Sequence, residues 1–334
     1  MSSLPGHFIP FFHSQFFVTP EYPSEDCTGR TIIITGANTG LGKEAARHIV
    51  RLNAERVIIT SRNASKGEVA AKDIERTTGR KGVVEVWNLD LQNYDNVKAF
   101  AKRVEGLKRL DAIIENAGVA TNKFQMAEGN ESTITTNVVS TFLLALLVLP
   151  KLQESAKLHG IVPNLTIVSS EVHFFTSFPE RKAPSIFGTL NNPKEANMSD
   201  RYNVSKMLEV LACRAIAKQH PQSQLGVNLN FVNPGWCHSE LVREMKENKI
   251  IGVIIALVMK IMARTTEVGS RTLVHAGTKA GKESHGKYLS DCQVTRCAKL
   301  VEGPEGPELE SRVWKELSGK LEAIQPGILR NLDA

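Results

Sequence analysis

The chain is sparing with the residues that build staples, metal centres and nucleic-acid surfaces. Its five cysteines, Cys27, Cys213, Cys237, Cys292 and Cys297, are odd in number and widely spaced over 334 residues. No C-x-x-C pair occurs, which argues against a zinc site or a disulfide framework and for a reducing compartment. Neither His173 nor His238 has partners at ligand spacing, so no metal is assigned. The net charge of +6 is modest and its Lys and Arg are scattered. Without a basic stripe interleaved with aromatics, nucleic-acid binding is not supported. The aromatic cluster His7-Phe8-Ile9-Pro10-Phe11-Phe12, followed by Phe16-Phe17, has no basic start and is broken by Pro10. It is therefore not read as a secretory signal, and the expected location is cytoplasmic. Residues 1–29 read as an extension packing its aromatics over the folded domain, a reading favoured over membrane contact.

Hydrophobic content of 42% and charged content of 23% are ordinary for a soluble globular protein. From Arg30 onward, short β-branched runs alternate with longer helix-like stretches. Thr31–Ile34, Arg56–Thr60, Val83–Trp87, Ala112–Ile114, Leu165–Val168 and Val227–Phe231 read as strands, most of them continuous apolar runs suited to burial on both faces. Helices are expected near Lys43–Leu52, Lys66–Thr77, Asn96–Val104, Thr133–Leu152 and Tyr202–Lys218. That alternation predicts an α/β fold, a single-domain doubly wound parallel sheet with helices on both faces. With no internal repeat or low-complexity linker, the expected organisation is an extension (1–29), one domain (30–300) and a C-terminal tail (301–334).

Directly after the first strand comes Thr35-Gly36-Ala37-Asn38-Thr39-Gly40-Leu41-Gly42, then a helix. Glycines in a strand-to-helix turn let the backbone approach a pyrophosphate, which rests against the helix N-terminus. Gly36, Asn38, Thr39, Gly40, Leu41 and Gly42 are the candidate phosphate-binding residues. A site for NAD usually carries a carboxylate at the end of the next strand. This chain has none there: the second strand ends Ile59-Thr60-Ser61-Arg62. A guanidinium at that place suits a 2′-phosphate and favours NADP(H). Lys43 adds charge near the phosphates or lies on the surface.

Tyr202 and Lys206 stand four residues apart on an expected helix, one turn from each other. A free tyrosine has a pKa of about 10, and a neighbouring ammonium favours its phenolate. Lys206 is therefore expected to lower the Tyr202 pKa.

Taken with Asn88-Leu89-Asp90, Asn116-Ala117-Gly118, Asn137, Ser170 and Pro234-Gly235 with Ser239, these motifs resemble the short-chain dehydrogenase/reductase superfamily from about Arg30 to about Ser290. Within it the chain looks most like the retinol-dehydrogenase-like and fungal secondary-metabolism branches, which favour NADP(H). The resemblance implies a Rossmann fold and a role for each position. Asp90 would accept from the adenine amino group, and Asn116 would support the sheet near the adenine ribose. Pro234 and Gly235 would pass close to the nicotinamide, with Ser239 bonding its carboxamide. Tyr202 would be the general acid, with Lys206 also holding the nicotinamide ribose. Ser170, rather than Ser169, would donate to the developing oxyanion, and Asn137 would hold a water in the proton relay.

Two departures from the family pattern stand out. Glu115 places a carboxylate at the end of a buried strand, and the gap from Ser170 to Tyr202 is long enough to hold an insertion beside the pocket that obstructs the usual oligomer contacts. The apolar run within Lys249–Arg264 falls where the family has its mobile segment and predicts a substrate lid near 240–265. It is too short for a span, which needs roughly 20 apolar residues. His173, Phe174, Phe175 and Phe178 line the pocket or fill the core. The expected function is an NADPH-dependent oxidoreductase interconverting a carbonyl and an alcohol on a lipophilic small molecule, a secondary-metabolite intermediate, by a monomer or homodimer. A retinol-dehydrogenase-like enzyme is the alternative. A non-catalytic NADP(H)-sensing regulator ranks below both, because it has no need of Asn137, Ser170, Tyr202 and Lys206 together.

Overall fold

The computed structural model describes residues 4–238 and 263–333. Ser239 and most of the expected lid lie outside the described residues. The strands are β1 (Thr31–Ile34), β2 (Arg56–Ser61), β3 (Val84–Asn88), β4 (Ala112–Glu115), β5 (Asn164–Val168), β6 (Asn228–Asn233), β7 (Tyr288–Ser290) and β8 (Gln293–Thr295). They form one sheet in the order β8-β7-β6-β5-β4-β1-β2-β3, parallel except for the edge pair β7–β8. Side-chain alternation splits the apolar runs between two layers. Ile32 and Ile34 join the cluster under α2 (Gly40–Arg51) and α7 (Thr266–Thr278), while Ile33 and Ile113 join the larger cluster on the opposite face. That face carries α4 (Tyr94–Glu105), α5 (Ser132–His159) and α6 (Arg201–Gln219), and α3 (Ala64–Thr78) lies against β3. The expected doubly wound parallel sheet is the architecture found.

Strand order reverses between β1 and β4, so the connections that leave their carboxyl ends run to opposite faces of the sheet and leave a crevice. Helix α5 is long and apolar enough to cross a membrane by composition, but 94% of that window is buried in the core. One π-turn, Thr135–Val139, interrupts it.

Two segments depart from expectation. Leu4–Phe17 is a helix (α1) despite Pro10. It is fastened by polar bonds more than by aromatic cover. Gln15 Nε2 donates to Trp236 O at 2.8 Å, and Ser14 Oγ donates to Asp291 Oδ2 at 2.5 Å. Arg264 pairs with Asp291 at 2.7 Å and donates to Ser14 O at 2.6 Å. Phe11 packs near Trp236 and Phe175, whereas Ile9, Phe16 and Phe17 are exposed.

The stretch 301–334, expected as a tail, contains α8 (Gly306–Ile324), and its Leu309, Val313, Trp314, Leu317 and Leu321 complete the larger core cluster against α6. The insertion between Ser170 and Tyr202 is held by that same helix. Glu316 accepts from the backbone N–H groups of Ile186 (2.9 Å) and Phe187 (3.0 Å), and Arg312 donates to the carbonyls of Arg181 and Ala183. In consequence the outer side of α6 is covered by the chain's own C-terminal helix.

Candidate active site

The glycine turn is tied on both sides. Asn116 Nδ2 donates to Thr35 O at 2.9 Å and Gly36 O at 3.2 Å, the Ala117 N–H donates to Thr35 Oγ1 at 2.9 Å, and the Gly36 N–H donates to Thr60 Oγ1 at 3.0 Å. Asn116 thus braces the turn with its own side chain. Two glycines have no substitute. Gly36 has φ +62°, and a Cβ there would lie 2.8 Å from Ala117 Cα; at Gly42 it would lie 2.6 Å from Asn116 Nδ2. The first N–H groups of α2 have no intrahelical partners, and Thr39 caps none of them with its side chain.

These amides open on a cleft of about 630 Å³ lined by Gly36, Asn38, Thr39, Gly40 and Leu41 at one wall and by Arg62, Asn63 and Lys66 at one end. Asp90 and Asn116 also line it. Asp90 sits two residues past β3, its Oδ1 accepting from the Gln92 N–H at 3.0 Å. Arg62 is exposed and has no ion-pair partner among the described residues. Lys43, half-buried, pairs with Asp73 at 2.8 Å and is not among the residues lining the cleft.

The other end of the cleft runs through Gly118 to Thr121. A Cβ on Gly118 would stand 3.3 Å from Asn137 Oδ1 and 3.9 Å from Lys206 Nζ, so the catalytic candidates begin where the cleft ends. Asn137 lies in the π-turn, fully buried, with its amide spent: Oδ1 accepts from the Val119 N–H (2.9 Å), and Nδ2 donates to Val119 O (2.9 Å) and Ser205 Oγ (3.0 Å). Its side chain is thus a brace between the loop after β4 and α6, leaving only its carbonyl for a water.

Ser170 and Tyr202 are both half-buried, with Ser170 among the groups that lower the phenol pKa, whereas Ser169 is buried with its hydroxyl donating to Lys206 O at 3.3 Å. Lys206 Nζ lies 5.6 Å from the Tyr202 ring centroid. Lys206 pulls the phenol down as expected, but burial outweighs that pull. Burial pushes the Tyr202 phenol above its ordinary value; Lys206 and Ser170 pull it down, but Glu209 pushes up again. The main cause is burial, and Lys206 is also shared, donating to Glu209 Oε1 at 2.8 Å and Val168 O at 2.8 Å. Glu209 escaped the motif reading, although its place one turn after Lys206 is visible in the sequence.

Pro234 and Gly235 follow β6. Asn233 Oδ1 accepts from the Gly235 N–H and from the Glu171 N–H, both at 3.1 Å, joining this turn to the one after Ser170. His173 and Phe178 belong to the core. The imidazole is fully buried, with Nδ1 against Ser170 O at 2.7 Å and Nε2 accepting from the Ala298 N–H at 3.2 Å. Among the described residues no His, Cys, Asp and Glu cluster could hold a metal ion.

A parallel sheet with a glycine turn at its switch point and a Tyr-x-x-x-Lys helix across the cleft defines a nicotinamide-dependent oxidoreductase of the short-chain dehydrogenase/reductase family, to which this chain belongs. The short chain dehydrogenase family model matches residues 30–176. Relatives include the short chain dehydrogenase/reductase dmxR8 of Cryptosporiopsis sp., 50% identical over 96% of this chain and 99% of that one. The short-chain dehydrogenase anuD of Penicillium roqueforti is 44% identical over 96% of this chain and 84% of that one. These names place the chain in the fungal secondary-metabolism branch of the family. The Pseudomonas aeruginosa RhlG/NADP active-site complex shares the fold, with a TM-score of 0.60 and 20% identity over 81% of this chain and 97% of that one.

Proposed function

We propose that the protein is an NADP(H)-dependent oxidoreductase interconverting a carbonyl and an alcohol on a lipophilic small molecule. The observation that carries this reading is one cleft lined by both the glycine turn and Arg62, with its Gly118 standing beside Asn137 and Lys206, one turn from Tyr202. The residues fit a dinucleotide: a turn too tight for any Cβ at Gly36, unpartnered amides at the start of α2, and a guanidinium and an ammonium, Arg62 and Lys66, where a 2′-phosphate would lie. Gly36 to Gly42 would hold the pyrophosphate, Asp90 the adenine, Lys206 the nicotinamide ribose, and Pro234 and Gly235 the nicotinamide.

The bound nicotinamide supplies or accepts the hydride. Tyr202 gives its phenolic proton to the carbonyl oxygen, a contribution worth typically 10²–10⁴-fold. Ser170 donates to the same oxygen as charge develops on it. In oxidation Tyr202 takes the proton back. The aromatic group formed by Phe11, Phe175 and Trp236, next to Gly235, supports an apolar and ring-bearing substrate. The test is NADPH oxidation by the purified protein across lipophilic ketones, aldehydes and quinones, with Tyr202→Phe alongside. Turnover that disappears in the variant is expected; turnover that survives it overturns the reading.

A further inference from the structure

Helix α1 lies outside the segment that the family model matches, residues 30–176, and none of its residues enters either core cluster. Apolar burial in the core therefore does not decide where it sits. Polar bonds do, and they lead to the turn after β6. The buried Gln15 clamps the main chain of Trp236 with both ends of its carboxamide: Nε2 donates to Trp236 O at 2.8 Å, and Oε1 accepts from the Trp236 N–H at 3.2 Å. At the helix C-terminus, where carbonyls run out of intrahelical partners, Arg264 donates to Ser14 O at 2.6 Å and to Val18 O at 3.0 Å. The same guanidinium passes so close to Gly235 that a Cβ there would lie 2.8 Å from its Nη1.

Phe11 precedes Ser14 by three positions and Gln15 by four, so on a helix it shares the face that these bonds fix. Its ring stands 6.5 Å from that of Trp236 at an interplanar angle of 39°, and 6.4 Å from that of Phe175, edge-on at 81°. All three rings are half-buried, and none belongs to a core cluster; the core is served next door by Phe174 and Phe178. Phe175 follows Ser170 by five residues, and Trp236 directly follows Gly235. Asn233 Oδ1 accepts from the N–H groups of both Glu171 and Gly235, so the two turns that carry these rings are braced to each other.

We propose that Phe11 is a specificity-determining residue: α1 carries it to the reacting end of the site, where it joins Phe175 and Trp236 in an aromatic wall that selects flat, ring-bearing carbonyl compounds over open-chain ones. An aromatic ligand gains offset and edge-to-face contacts against such rings, and an alkyl chain of similar polarity does not. The clamp on Trp236 fixes the ring in place before a substrate arrives. The inference rests on the reading of the site as one for a lipophilic carbonyl compound, with Tyr202 as proton donor.

The probes are 2-acetylnaphthalene and octan-2-one, which carry the same methyl ketone on a fused ring and on an open chain. Binding of each is read by calorimetry on the full chain saturated with NADP⁺, from which no hydride can pass to a ketone, so the result does not depend on turnover. The wild type is expected to prefer the naphthyl ketone by about tenfold or more. Phe11→Leu, which keeps an apolar side chain on the helix, should lower that preference about 3- to 10-fold, the worth of one aromatic pair. Phe11→Trp should restore it, and Gln15→Ala, which releases the clamp, should lower it in the same direction. A merely structural role for α1 would weaken both ketones alike and leave their ratio in place. A wild type with no preference for the naphthyl ketone overturns the proposal without any variant. So does a folded Phe11→Leu whose preference equals that of the wild type; if that variant does not fold, Gln15→Ala carries the same comparison. Turnover surviving in Tyr202→Phe would instead overturn the proton-donor reading and leave this binding result standing.

Discussion

Replacing Glu115 by Gln should stabilise the protein at pH 7 and do much less at pH 4.5. The carboxyl is buried without a partner, and its folded pKa stands well above the ordinary 4.5. Between those two values the folded chain holds a proton that the unfolded chain has released, so stability is greatest at low pH and falls as pH rises. Each pH unit between the ordinary value and the raised one costs ~1.4 kcal/mol of stability. Glutamine fills the same space and has no proton to retain, so the variant loses that slope. A constant offset remains, because a buried amide and a buried acid both lack partners. Glu209 contributes a slope of the same sign between 4.5 and about 7, in both proteins alike. Urea unfolding of parent and variant at pH 4.5 and pH 7, read as midpoints with matching m-values, measures the difference. A stability difference that does not change with pH would show that Glu115 is ionised in the fold and would refute the argument.

Arg62→Ala should weaken NADPH binding about 10- to 100-fold, as expected for losing charge-assisted hydrogen bonds of ~1.5–3 kcal/mol, and leave NADH nearly unchanged; paired fluorescence titrations check this, and equal losses would free Arg62 of the role. Leu317→Ala, at a fully buried position of α8, should cost about 2–5 kcal/mol in urea unfolding, whereas a true tail would lose almost nothing. Gly36→Ala should abolish nicotinamide binding with the fold retained, because the added Cβ meets backbone at 2.8 Å in a φ +62° conformation; circular dichroism and a cofactor titration separate the two effects.

The central sheet was legible because its strands are buried on both faces and so read as unbroken apolar runs, as in Thr31–Ile34. The cofactor side was legible as spacing: glycines fixed directly after a strand, and Arg62 after the next. Elements that draw their stability from distant partners were not. Helix α8 announces itself by Leu309, Val313, Leu317 and Leu321 at a spacing of four, but the glycines and prolines before it read as a tail. Helix α1 contains Pro10, and what fastens it is Arg264 and Asp291, far along the chain. The net shift of Tyr202 was not legible for a related reason. Tyr202 and Lys206 are one turn apart and the lysine lowers the phenol pKa, yet burial outweighs it, and burial is a property of the folded chain.

The most direct test of the account is steady-state NADPH oxidation with a lipophilic carbonyl, comparing the wild type with Tyr202→Phe after both are shown to bind NADPH equally. The account predicts turnover in the wild type and a loss of about 10²–10⁴-fold or more in the variant. Comparable turnover in the two proteins would contradict it, because the proton would then come from elsewhere and the site would lose its centre.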